Sequence, residues 1–197
     1  MTVPVQPTTA GSWTVPVVRG ALALIATAVI TFTQDHSPQF GLLVFGCFAI
    51  VSGAVLALPG RGAPLPDRVS AVLGTVQALA GLVAGAVALL ALIAGQAGLG
   101  FYLFLVIVWA AVTGMLELYR GIRARGRAGA SRDLMTVGVL TAVLAVVYLL
   151  LPPHAVVAVG LLGAYLALTG VYLIIGGLSL KWGQAGPATP EDPETLP

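Results

Sequence analysis

Charge is scarce in this chain. Lys, Arg, Asp and Glu together make up 8% of its 197 residues, against about 25% in a soluble globular domain, which excludes that class at once. Cysteine is almost absent. Cys47 has no partner in the chain, so neither a disulfide framework nor a cysteine-based zinc site can be built. Its place inside an apolar run reads as a small core residue. Acid is scarcest where chemistry would need it, because Glu117 is the only carboxylate within an apolar run. The runs hold no HExxH, no P-loop, no GxSxG and no paired carboxylates. Enzyme chemistry is therefore not expected, and neither is a resident metal or cofactor. A net charge of +2 is too small to suggest nucleic acid.

What is present is hydrophobic length. Six apolar stretches follow one another: Val17–Thr33, Phe40–Leu58, Val69–Ile93, Phe101–Ile122, Leu134–Leu151 and Ala155–Leu180. A bilayer-spanning helix needs about 17 to 25 such residues. The expected fold is therefore all-α: a polytopic membrane protein with six transmembrane helices over residues 15–181. Residues 1–14 are expected to be a flexible lead and residues 182–197 a disordered, acidic, Pro-rich tail. The first stretch lies near the lower length limit, with Arg19 able to snorkel from its first turn. It reads as a span rather than a cleaved leader, since no basic segment precedes it and no convincing small-residue cleavage site follows.

The positive charges orient the chain. Arg61, Arg68, Arg123, Arg125, Arg127 and Arg132 lie in the connections after the second and fourth stretches, and Arg19, Arg120 and Lys181 lie at stretch ends on the same side. The other three connections carry no Lys or Arg. Basic residues stay on the cytoplasmic side of a membrane, so an even number of spans with both termini cytoplasmic is expected.

Part of the sequence repeats. Phe48, Trp109 and Tyr165 each stand four residues before Ser52, Thr113 and Thr169, and each of those is followed by glycine: Gly53, Gly114 and Gly170. In the preceding stretches Gly20 and Thr27, Gly74 and Gly81, and Gly138 and Ala145 are small pairs seven apart, close to two helical turns. Small residues let helix backbones approach in lipid. Beside each glycine, the Ser or Thr hydroxyl can bond to a neighbour or back to the i−4 carbonyl. The pattern implies three tandem hairpins, about 17–58, 69–122 and 134–180, related by pseudo-threefold symmetry about the membrane normal.

These residues resemble the HdeD-like acid-resistance membrane protein family, bacterial six-helix proteins mostly without known activity. Arg19-Gly20-Ala21-Leu22-Ala23 is similar to the family's opening helix. Trp109 to Glu117, with the basic exit Arg120 to Arg125, resembles its fourth-helix signature, and Leu162 to Tyr165 with Thr169-Gly170 its last helix. Ser52 stands where members often carry Asp, and Thr27 and Ala145 stand where glycines are usual. The resemblance implies a bacterial inner-membrane location and a stress or acid-resistance role, and it brings no catalytic residues.

Three groups are candidate sites. Glu117 has Arg120 within i,i+3 reach and Arg19 on the same membrane side, which suggests a structural ion pair between hairpins. A proton or ion relay through Glu117, Gln77, Thr113 and Tyr119 is the alternative. Asp35, His36 and His154 fall in connections on the outer face, where histidines could sense external acid or stand as solvated loop residues. Arg123, Arg125, Arg127 and Arg132 can contact anionic lipid at about 1 kcal/mol per basic residue. Membrane lipid, another membrane protein or a second copy of the chain are the expected partners. The functional expectation is a non-catalytic membrane protein acting through lipid or a larger assembly, with a small-solute or proton pathway and a scaffold subunit as alternatives.

Overall fold

A computed structural model describes residues 13–58, 68–124 and 130–184. The described residues form six helices and no strand: α1 (Thr14–Phe32), α2 (Pro38–Ala57), α3 (Arg68–Ile93), α4 (Leu99–Arg123), α5 (Ala130–Leu150) and α6 (Ala155–Gln184). All six are long and apolar enough to cross a membrane.

Local chemistry sets the ends. Ser37 caps α2, its hydroxyl accepting from Phe40 N–H at 3.2 Å, with Pro38 in the first turn, where its missing N–H costs nothing. Gly95 takes a φ of 70° in the turn from α3 to α4, a conformation that an L side chain resists. Two ends differ most from expectation. Helix α5 begins at Ala130 rather than Leu134, which places Arg132 and Asp133 inside a helix. Helix α6 continues past Lys181 to Gln184, and Lys181 Nζ lies 4.8 Å from the centre of the Trp13 ring. That cation–π contact ties the end of α6 to the start of α1.

The most extensive contacts are α4 with α5, α2 with α3, and α1 with α6. The helices within each expected hairpin touch one another less. The tightest packing therefore joins the second helix of one sequence hairpin to the first helix of another. Glycine explains the choice. A Cβ on Gly53 would stand 2.8 Å from Ala78 O, on Gly114 2.8 Å from Ala142 N, and on Gly170 2.9 Å from Gly20 O. Each glycine that follows the repeated Ser or Thr lets two backbones meet, which recovers dispersion energy where lipid supplies no hydrophobic drive. Gly74 is different: beside it lies the Arg120 guanidinium at 3.6 Å, with no backbone within 4 Å among its three nearest atoms.

The core is built on Leu42, Phe45, Tyr102, Val106, Leu162 and Leu166, all fully buried. The outer face carries Ile25, Phe32, Leu90, Phe104, Met115, Leu149 and Leu168, each more than half exposed. No soluble monomer leaves so much apolar surface in water. The bundle is a multi-pass membrane protein.

Cys47 belongs to that outer face: it is exposed, not the core residue its apolar surroundings suggest. Gly46 takes the inward seat, where a Cβ would meet Leu89 at 3.0 Å, and the next residue on a helix is turned by about 100°. Cys47→Ala is accordingly expected to change stability by less than about 0.5 kcal/mol, measured as melting temperature in detergent. A larger loss would place the thiol inside.

A buried polar network as candidate functional site

Helix α4 turns Ala110, Thr113, Gly114, Glu117 and Gly121 inward. This spacing of three and four residues is one face of a helix. Glu117 therefore points at the bundle interior instead of lipid, and only 2% of it is exposed. An unpaired carboxylate would not be stable there. Its Oε1 accepts from Gln77 Nε2 at 2.6 Å and pairs with Arg19 Nη2 at 3.5 Å. Thr141 Oγ1 stands 3.5 Å from Oε2.

The network then spreads to every helix. Arg19 Nε on α1 donates to Ser52 Oγ on α2 at 3.3 Å. The Gln77 carbonyl on α3 accepts from Arg120 Nη1 on α4 at 2.7 Å. Thr141 on α5 bonds the Tyr165 hydroxyl on α6 at 2.8 Å. The expected triad is thus arranged in a particular way. Arg19 meets Glu117 directly, whereas Arg120 reaches it through the Gln77 amide, which presents an acceptor to the arginine and a donor to the carboxylate. Arg120 Nε is buried with no partner.

The three residues of the aromatic repeat lie around this network. Phe48 and Tyr165 stand edge-on to Trp109 at 6.3 and 6.4 Å, and Phe45 adds a third edge contact at 5.3 Å. Such edge-to-face pairs are favourable beyond their burial. Together they fill the bundle interior next to the charges. Between them and Glu117 remains a cavity of about 20 Å³ with Arg19, Thr113, Thr141, Tyr165 and Thr169 among its lining residues. A space of that size takes one water. The three repeated hydroxyls behave differently from one another. Ser52 accepts from Arg19, Thr113 bonds back to Trp109 O at 2.6 Å, and Thr169 Oγ1 is buried without a partner beside the cavity.

A second polar layer lies toward the opposite end of the bundle. The Tyr102 and Tyr148 hydroxyls are 3.2 Å apart and both reach Ala158 O, at 3.4 and 2.6 Å. Beyond it are the residues considered for acid sensing. Asp35 is engaged locally, accepting from Ser37 N–H at 2.8 Å and from its hydroxyl at 3.1 Å. His36 Nδ1 lies 3.2 Å from Gln34 O, and His154 is exposed in the next-but-one connection on that side. Among the described residues no three His, Cys, Asp or Glu side chains come together as a metal site. Of the basic residues considered for lipid contact, Arg123 closes α4 and Arg132 is exposed in the first turn of α5; Arg125 and Arg127 lie outside the described residues.

No family model, curated protein or solved structure matches this chain. The family resemblance rests on the quoted residues alone, and the site is interpreted from its own geometry.

Sequence reasoning names Gln77 as a candidate relay member but not as the bridge between Glu117 and Arg120, and it does not single out Thr141. A signal existed. Gln77 and Thr141 stand three residues after Gly74 and Gly138, as Ala23 does after Gly20. All three are buried, at 3%, 1% and 1% exposure. The residue three past each glycine faces the bundle interior, so a polar residue there was marked as a network member.

Proposed function

We propose that this chain is a non-catalytic protein of the bacterial plasma membrane, with both termini cytoplasmic, that serves membrane integrity or stress resistance. It acts through its lipid-facing surface or through a larger membrane assembly. The supporting observation is the use made of Glu117. Its carboxylate is engaged by Gln77 and Arg19 and walled by Phe48, Trp109 and Tyr165, so this buried acid holds helices together. The stress role follows from the family resemblance, and the orientation from the clustering of basic residues at one end.

A proton pathway is the competing reading, favoured by the polar cavity beside Glu117. The aromatic cluster next to that cavity argues against a continuous water path. Proteoliposomes holding the full chain, an internal pH dye and an imposed pH gradient distinguish the two. The expected result is dye response equal to that of protein-free vesicles. Proton flux that disappears in Glu117→Gln would replace this reading with the pathway.

A further inference from the structure

Helices α5 and α6 are neighbours that pack loosely, and at the arginine-bearing end an open cleft of about 520 Å³ separates them. Its walls are mostly apolar or small: Ile175, Leu180, Gly176 and Gly183. Its polar groups are Asp133, Tyr172 and Ser179.

Asp133 is the unusual member. It sits in the first turn of α5, half-buried, and its Oδ1 accepts from the Tyr172 hydroxyl at 3.0 Å. Its recorded side-chain partner among the described residues is that tyrosine hydroxyl. Its second oxygen, Oδ2, is turned toward Gly176, where even a Cβ would stop 3.4 Å away. A helix N-terminus favours an acid, but that field does not account for a tyrosine holding the carboxylate at the mouth of a cleft. The level in the membrane is fixed by the neighbours: Lys181 stacks on Trp13 at this end, and Trp and Lys mark the headgroup region.

We propose that this cleft binds the headgroup of an aminophospholipid, its primary ammonium donating to Asp133 Oδ2 and its glycerol and upper acyl chain lying along Ile175 and Leu180. Charge complementarity selects the class. An ammonium carries three donors for a carboxylate acceptor, and a charge-assisted bond in the partly dehydrated headgroup layer is stronger than one in water. A trimethylammonium headgroup carries the same charge but no donor, and an anionic headgroup would meet the like charge of the carboxylate. Gly176, with no Cβ beside the carboxylate, and the exposed Ser179 line the open cleft where the headgroup would sit.

The test is native mass spectrometry of the full chain in mild detergent, titrated separately with phosphatidylethanolamine, phosphatidylcholine and phosphatidylglycerol of identical acyl chains. Occupancy by the ethanolamine lipid is expected to exceed that by the choline lipid about tenfold, the factor that one charge-assisted bond supports. Asp133→Asn should remove the preference. Ser179→Phe, on an exposed position that can fill the cleft without entering the core, should lower binding of the ethanolamine lipid and serves if Asp133→Asn does not fold. Equal binding of ethanolamine and choline lipids, or a preference unchanged in both variants, overturns the site. Preference for the glycerol lipid overturns it too and moves lipid contact to the arginines. The site deepens the lipid-surface reading of the function and rests on it, yet the two fail separately. Proton flux with intact ethanolamine selectivity would remove the former reading and leave the site, and the reverse pattern would remove only the site.

Discussion

Glu117→Ala is expected to lower the stability of the bundle by about 3 to 5 kcal/mol, the usual cost of removing one partner from a buried ion pair. The loss comes from what is left behind. Arg19, whose side chain is 18% exposed, would keep its charge near the bundle interior with only Ser52 as a partner. The Gln77 amide would lose its 2.6 Å acceptor and with it the link that holds Arg120. Glu117→Gln retains an oxygen that can accept from Gln77 and loses only the charge, so a smaller cost of about 1 to 3 kcal/mol follows. The check is thermal or denaturant unfolding in a fixed detergent. A combined Arg19→Met and Glu117→Met variant should recover part of the loss, because two apolar groups leave neither charge stranded. Losses for the single changes Glu117→Met and Arg19→Met that simply add in the combined variant would mean that the two side chains do not interact.

Backbone contact should matter comparably, at glycines that stand beside the polar network but add no polar side chain to it. A methyl on Gly20 would stand 2.7 Å from Gly170 O and 2.8 Å from Ile174 Cγ1. The first of these neighbours is main chain and cannot swing away, so α1 must shift from α6. Overpacking of this kind costs about 1 to 3 kcal/mol. Gly160 supplies the contrast, for nothing lies within 4 Å of a methyl there. Its change to Ala should be neutral or stabilise by up to about 1 kcal/mol through helix propensity alone. A loss for Gly20→Ala and none for Gly160→Ala in the same unfolding assay are therefore expected. Hydrogen exchange should localise the Gly20 effect to α1, which has no loop joining it to α6. Equal effects would show that the close approach contributes nothing.

Most of the architecture was legible because a bilayer constrains sequence so strongly. A span must be long, apolar and helical to satisfy its own backbone, and each of the six stretches meets that demand in length and composition. The position of Glu117 within the fourth stretch already marked it as costly and in need of partners. The partners were less legible. Arg19 could be named from its membrane side, but Gln77 becomes the bridge to Arg120 only because α3 presents it there. Cys47 shows the same limit from the other direction. Hydropathy says that a residue lies within the membrane, and cannot say whether it faces protein or lipid, since both are apolar.

The amino-acid sequence by itself determined the number of helices and roughly where each lies along the chain, because transfer free energy is a property of composition and acts on each stretch separately. The tertiary structure alone decided which helices meet most closely, that Phe48, Trp109 and Tyr165 converge beside Glu117, and that α5 and α6 part around Asp133. Those outcomes depend on how closely two backbones can approach and on which direction each side chain is turned, and such relations exist only between helices.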